Sequence, residues 1–249
     1  MPKTVFITGA TSGIGRKMAE MCIAKGYRVY ATGRNESSLA TLRGIGAHVM
    51  QADLRNVEDI ERIVNELPSI DVAILNAGLG FFGNAHELSD EDIDTMFETN
   101  VRAPIYLTKR ITNKWIAEGK KGHFIYVSSQ AGKVATRKAS VYASTKHAVT
   151  GFLNGVRLEL EPHGIRVTGI YPGPIDTPFL DKADATNAYR AAVATFLIQP
   201  EKVARATVQA IERPVREINL PRIMNYTAKF YAVAPRLVET LGRSFFNKK

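Results

Sequence analysis

A chain of 249 residues with 45% apolar content can build one large α/β domain or two small ones, and its single cysteine excludes an intramolecular disulfide framework. The formal charge of +9 raises nucleic acid as a partner. Ten Lys/Arg against four Asp/Glu crowd into residues 200–249, however, with no zinc-finger spacing or RNA-stacking motif, so solvated surface or attraction to anionic partners is the simpler reading. The opening run at 4–8 is too short for a secretory leader and no apolar stretch is long enough to span a bilayer, so the expected address is the cytoplasm.

Short β-branched runs alternate with helical patterns from the first residues. Strands are predicted at 4–8, 28–32, 48–51, 72–75, 123–128 and 166–171, and helices at 14–25, 36–43, 57–67, 90–117 and 142–160. This alternation predicts βαβ units, hence an α/β fold with a parallel sheet covered by helices on both faces. Val72-Ala73-Ile74-Leu75 is apolar throughout, as a strand buried on both sides requires. No linker rich in Pro, Gly or Ser divides the chain, so a single domain over 1–249 is expected. Cys22, between Met21 and Ile23, reads as a buried, inert thiol on a packed helix face. Residues 174–200 break the alternation. Doubly wound sheets bind ligands outside the carboxyl ends of their strands, so this excursion is expected to be a mobile lid, with a surface insertion as the alternative.

Thr8-Gly9-Ala10-Thr11-Ser12-Gly13-Ile14-Gly15 joins the first strand to the first helix. Glycines there let the backbone approach a pyrophosphate closely, and a helix N-terminus offers free N–H groups and a favourable dipole. The spacing is Gly-x-x-x-Gly-x-Gly rather than the general Gly-x-Gly-x-x-Gly, and its place between strand and helix is what separates it from a merely tight connection. After the second strand comes Gly33-Arg34. An acid at that point would take the ribose 2′-hydroxyl of NAD, whereas a guanidinium suits a 2′-phosphate, so NADP(H) is favoured over NAD. The alternative for Arg34 is an ordinary exposed cation.

Tyr142-Ala143-Ser144-Thr145-Lys146 sets a tyrosine and a lysine four apart at the start of a helix, on one face. A phenol titrates near ~10, and a nearby ammonium stabilises its anion, so one group can give a proton to a ketone or take it from an alcohol. The pair occurs by chance in helices; the glycine turn makes it specific.

With Asn76-Ala77-Gly78, Asn100, Ser128-Ser129 and Tyr171-Pro172-Gly173-Pro174-Ile175-Asp176-Thr177 in this order, the chain resembles the short-chain dehydrogenase/reductase family, in its compact single-domain branch, from residue 4 to about 220. The resemblance implies a Rossmann-like, doubly wound parallel sheet of about seven strands. It also implies roles for single residues. Ser129 hydrogen-bonds the substrate oxygen, Tyr142 is the acid/base, and Lys146 binds the nicotinamide ribose hydroxyls and lowers the tyrosine pKa. Asn100 holds a water of the proton relay, or otherwise is a polar helix residue. The implied cofactor contacts are Gly9, Thr11, Ser12, Gly13, Ile14, Gly15 and Arg34, then Asp53 and Leu54 at the adenine. Asn76, Ala77, Gly78, Tyr142 and Lys146 follow, with Pro172, Gly173, Ile175 and Thr177 at the nicotinamide end. Ser128 is the lesser candidate, a strand-end hydroxyl satisfied by backbone. A carbonyl that accepts hydride becomes an alkoxide, whose charge the Ser and Tyr hydroxyls stabilise as it forms. The five histidines show no metal-ligand spacing, so no metal is expected. Trp115 reads as a packing or helix-surface residue, and Phe81 and Phe82 as a pocket wall or core filling.

After residue 220 the resemblance fades. Arg222, Lys229, Arg236 and Arg243 recur every seven residues, as do Ile223, Phe230 and Leu237, and Met224, Tyr231, Val238 and Phe245. This predicts an apolar stripe beside a basic one on helical segments divided at Pro235. The favoured reading packs the stripe on its own domain or a subunit interface; cover for the substrate cleft and contact with an anionic membrane surface are the other two. The expected protein is an NADPH-dependent enzyme moving hydride between the nicotinamide and a small-molecule alcohol or ketone, as a homodimer or homotetramer without nucleic acid. A non-catalytic NADP(H)-binding sensor is one alternative, disfavoured by the intact Ser-Tyr-Lys set. An epimerase or dehydratase is another, disfavoured by the lack of a large substrate domain.

Overall fold

Seven strands form one parallel sheet in the order β3-β2-β1-β4-β5-β6-β7. They are β1 (Thr4–Thr8), β2 (Arg28–Gly33), β3 (His48–Gln51), β4 (Val72–Leu75), β5 (His123–Val127), β6 (Arg166–Pro172) and β7 (Glu217–Leu220). The computed structural model describes residues 2–184, 186 and 188–242; Arg243 and Phe245, the last members of the seven-residue spacings, lie outside them. The helices are α1 (Gly13–Ala24), α2 (Glu36–Gly44), α3 (Val57–Glu66), α4 (Asp90–Phe97), α5 (Ala103–Ala117), α6 (Ser140–Leu160), α7 (Pro178–Ala183), α8 (Ala188–Val193), α9 (Pro200–Glu212), α10 (Ile223–Val233) and α11 (Pro235–Leu241). No helix among the described residues is long and apolar enough to cross a membrane.

The period of two along each strand divides the core. Phe6, Ala73, Phe124 and Tyr126 join the cluster built by α3, α5 and α6 on one face, while Val5, Ile7, Ile74 and Ile125 join the one built by α1 and α9 on the other. Both faces are buried, which is why these strands read as continuous apolar runs. Trp115 is a packing residue. Its Nε1 donates to Ile70 O at 2.8 Å, its ring lies 4.5 Å from that of Phe124, and a Cβ on Gly122 would come within 2.3 Å of it. Cys22 is fully buried, and burial pushes its thiol up to about 12.

Two segments differ from expectation. The helix predicted over 90–117 is interrupted by a π turn at Glu98–Arg102, where the Ala103 N–H donates to Glu98 O, five residues back. Such single-turn insertions concentrate at functional sites, and this one carries Asn100. The second segment is 174–200, whose described residues include regular structure. They hold α7 and α8, and their ends are tied by a parallel bridge between Ile175 and Ile198, with Asp176 N–H donating to Ile198 O. Arg190 of α8 clamps the excursion, donating to Asp176, to Asp181 at 2.7 Å and to Thr177 O at 2.8 Å.

His123 on β5 makes the stability pH-dependent. Its Nε2 lies 2.9 Å from Thr168 Oγ1, whose own proton goes to Val215 O at 2.6 Å. Nε2 therefore carries the hydrogen, and Nδ1 is a buried acceptor without a partner among the described residues. Burial, with Arg166 and Lys3 nearby, pushes the imidazole down to about 4. The folded value lies below the unfolded one of ~6.5, so this contribution is complete above that pH and is lost as pH falls towards 4, about 3 kcal/mol in all. The urea midpoint is expected to drop between pH 7 and 4.5, and His123→Leu to flatten that dependence; parallel curves for both proteins would remove His123 as the cause.

Candidate active site

The turn after β1 is shaped by what its glycines admit. Gly9 and Gly13 have φ of +64° and +52°, and a Cβ on Gly15 would fall 2.1 Å from Gly9 O. A Cβ on Gly33, across on β2, would fall 2.5 Å from Thr11 Cγ2. The turn is stapled to the end of β4: Asn76 Nδ2 donates to Thr8 O at 2.9 Å and Gly9 O at 3.2 Å, and Thr8 Oγ1 accepts from the Asn76 and Ala77 N–H groups. Ser12 begins α1 in an extended conformation without a side-chain cap, which leaves first-turn N–H groups available to an anion.

These residues wall a cleft of about 1090 Å³ at the carboxyl ends of the strands, where the strand order reverses beside β1. Each predicted cofactor contact, from Gly9 to Thr177, lines it. Arg34 is exposed at one end. Asp53 lies there too, but its carboxylate is engaged: Arg55 reaches it at 2.6 Å through Nη2 and 3.0 Å through Nε, and this guanidinium holds the carboxyl below its usual range. Arg55 is a second cation at this end that spacing did not single out. Its only signal was a base two residues after the acid.

At the other end, β5 and the first turn of α6 bring Ser129 and Tyr142 together. Ser129 is extended (φ −164°, ψ 161°), its Oγ accepts from Ala131 N–H at 3.1 Å, and it is near enough to Tyr142 to favour the phenolate. The Tyr142 ring sits on Gly80, where a Cβ would come within 2.9 Å, and stands 5.7 Å from the rings of both Phe82 and Phe179. Phe81 and Phe82 are thus pocket wall. Lys146 is buried, with Nζ 3.4 Å from Val127 O and 5.7 Å from the Tyr142 ring centroid. Burial pushes this ammonium down to about 8. In the free protein desolvation pushes the Tyr142 phenol up, and Ser129 opposes that push. Ser128 behaves as a strand-end hydroxyl, contacting Lys146 O and Thr150 Oγ1 at 3.4 Å each.

Asn100 lies behind the cleft wall beside Lys146: a Cβ on Gly78 would lie 3.3 Å from both Asn100 Oδ1 and Lys146 Nζ. It is 2% exposed and does not line the cleft. Its Nδ2 donates to Leu79 O (2.8 Å) and Thr145 Oγ1 (3.0 Å), and its Oδ1 accepts from Leu79 N–H (2.9 Å). Both amide hydrogens are committed, so the side chain has no donor left for a relay water. It fastens the loop after β4 to α6.

The far wall comes from the 174–200 excursion and the C-terminal helices. Phe179, Val193 and Phe196 face the cleft, as do Met224, Thr227 and Tyr231 of α10 and Val238 of α11. A Cβ on Gly173 would lie 2.9 Å from Met224 Sδ, so α10 rests directly on the Pro172-Gly173 turn. Cleft cover, one of three readings for this segment, describes its inner face. Among the described residues, no three His, Cys, Asp or Glu side chains are placed to hold a metal.

The family model described as short chain dehydrogenase matches residues 3–188. The chain is 34% identical to the oxidoreductase YxnA of Bacillus subtilis (strain 168) over 252 residues, covering 96% of this chain and 71% of that one. It is 33% identical to the NADP-dependent 3-hydroxy acid dehydrogenase YdfG of Escherichia coli (strain K12) over 239 residues, covering 91% and 96%. Among solved structures, the closed form of serine dehydrogenase complexed with NADP+ superposes with a TM-score of 0.81 at 31% identity, covering 87% of this chain and 93% of that chain. A short-chain dehydrogenase from Sphingobium yanoikuyae in complex with NADPH gives 0.80 at 25% identity, covering 95% of each.

Proposed function

The chain belongs to the short chain dehydrogenase family, and on that premise we propose an NADP(H)-linked oxidoreductase that moves hydride between the nicotinamide and the carbon of an alcohol or ketone. One observation carries the reading: Ser129, Tyr142 and Lys146 stand together in a cleft whose opposite end is a glycine cradle beside an exposed guanidinium, Arg34. The cradle fits a dinucleotide, because Gly15 and Gly33 sit where any side chain would close it.

The bound dinucleotide supplies the hydride; position and proton come from the chain. First-turn N–H groups of α1 hold the pyrophosphate. The Ser129 and Tyr142 hydroxyls donate to the substrate oxygen and stabilise negative charge there. Tyr142 delivers its proton to that oxygen in reduction and takes it in oxidation. Lys146, buried and without a carboxylate, directs its ammonium to the ribose hydroxyls and to the phenolate as it forms. Phe82 and Phe179 exclude water from the Tyr142 ring, Asn100 fixes the loop at Leu79, and the 174–200 excursion is the lid. The aromatic wall favours a partly apolar substrate. The proposed assembly is a homodimer or homotetramer.

A panel of carbonyls and alcohols read by NADPH absorbance tests the activity; no turnover of any member would count against it. Arg34→Asp is expected to cut the NADPH-over-NADH ratio of kcat/KM on the order of 100-fold, since it removes a charge-assisted pair to the 2′-phosphate and adds repulsion. An unchanged ratio would remove Arg34 from cofactor choice.

A further inference from the structure

Helices α10 and α11 carry two apolar faces. The inner one, with Met224, Ala228, Tyr231 and Val238, is buried or lines the cleft. The outer one is Tyr226, Phe230, Val233, Leu237 and Leu241, at steps of three and four, with exposures of 68%, 51%, 84%, 50% and 76%; Ile223, 63% exposed, sits at the cleft edge of the same helix. Of the large apolar side chains exposed by half or more among the described residues, all but Leu158 are on this pair of helices. A contiguous exposed apolar patch marks an interaction site.

Charge says what covers it. Arg222, Lys229 and Arg236 are exposed along the patch, and its one acid, Glu239, already accepts from Tyr231 Oη at 2.9 Å. The chain continues with Arg243, Lys248 and Lys249. A second copy meeting this face across a twofold axis would set the same basic rim against itself. An anionic bilayer turns those charges into attraction, accepts the apolar stripe at the headgroup boundary, and suits Tyr226 and Phe230 at the interface.

We propose that α10–α11 is a docking face that seats the protein on an anionic lipid surface, with the far wall of its cleft one helix away from the bilayer. Apolar substrates would then enter from the membrane side. The outward stripe is what raises this reading above subunit packing. The docking does not depend on the hydride chemistry, because its test reads binding.

The full chain is sedimented with vesicles of phosphatidylcholine alone and of equal parts phosphatidylcholine and phosphatidylglycerol. Binding is expected only to the anionic vesicles and is expected to weaken in high salt. The double variant Val233→Asp with Leu237→Asp, both positions exposed and outside the cleft lining, is expected to lose that binding at least about tenfold while keeping NADPH oxidation with a water-soluble ketone and the wild-type sedimentation coefficient. The triple variant Arg222→Gln, Lys229→Gln, Arg236→Gln leaves the apolar packing alone and should also lose it. Three results would overturn the proposal: wild type that stays in the supernatant, either variant binding as well as wild type, or a double variant that sediments as a smaller species, which would make the face a subunit interface.

Discussion

Tyr142→Phe is expected to lower turnover by about three orders of magnitude while leaving NADPH affinity unchanged. The phenylalanine keeps the ring in the same seat, on Gly80 and against Phe82 and Phe179, so packing is spared. What disappears is one oxygen. In the proposed mechanism that oxygen is the proton donor to the forming alkoxide and one of two hydroxyls that stabilise its charge; Ser129 remains, so some rate is expected to survive. Its neutral form is also the one that burial favours in the free protein, as the upward push on its pKa indicates. Reduction therefore starts from a tyrosine that already holds its proton, and the variant removes a donor rather than a base. Steady-state NADPH oxidation gives the rate and a fluorescence titration gives the affinity. A rate within about tenfold of wild type, a barrier change near ~1.4 kcal/mol, would end the acid/base assignment. Lost NADPH binding would instead mean that the Tyr142 hydroxyl itself holds the cofactor.

The features legible in the sequence are those with a short-range physical signature. Val72-Ala73-Ile74-Leu75 reads as a strand because both its faces are buried, and the turn at Gly9, Gly13 and Gly15 reads because only glycine fits there. The helices α7 and α8 escaped because six residues carry too little periodicity to stand out, and a clamp such as Arg190 to Asp176 and Asp181 leaves no pattern. The π turn escaped for a related reason: one extra residue shifts the helical phase without altering composition. Asn100 was legible as a site residue, but its commitments to Leu79 and Thr145 lie 21 and 45 residues away along the chain. Arg55 belongs to the same class, visible only once Asp53 and Arg34 are seen at one end of the cleft. In the C-terminal segment the periodicity was plain and its meaning was not. A stripe specifies an apolar face, whereas only the fold shows that α10 has a second one turned outward.

Gly15→Ala is expected to weaken NADPH binding on the order of 10- to 100-fold, against what helix propensity alone would suggest. Gly15 is the third residue of α1, and alanine is the better helix former by up to ~1 kcal/mol. The added Cβ, however, would lie 2.1 Å from Gly9 O and 2.5 Å from Asn76 Nδ2. Neither neighbour can yield cheaply. Gly9 O is backbone in a turn with positive φ, and Asn76 Nδ2 is held by hydrogen bonds to Thr8 O and Gly9 O. Relief requires the turn to lift off the end of β4, which would pull apart the N–H groups proposed to hold the pyrophosphate. Gly44→Ala is the matched control, since it too lies in a helix but has nothing within 4 Å of its would-be Cβ. That variant should bind NADPH normally and melt at or slightly above the wild-type temperature. The same added methyl group in two helices thus separates propensity from close approach. Equal NADPH affinity in both variants would show that the cradle tolerates a side chain at Gly15.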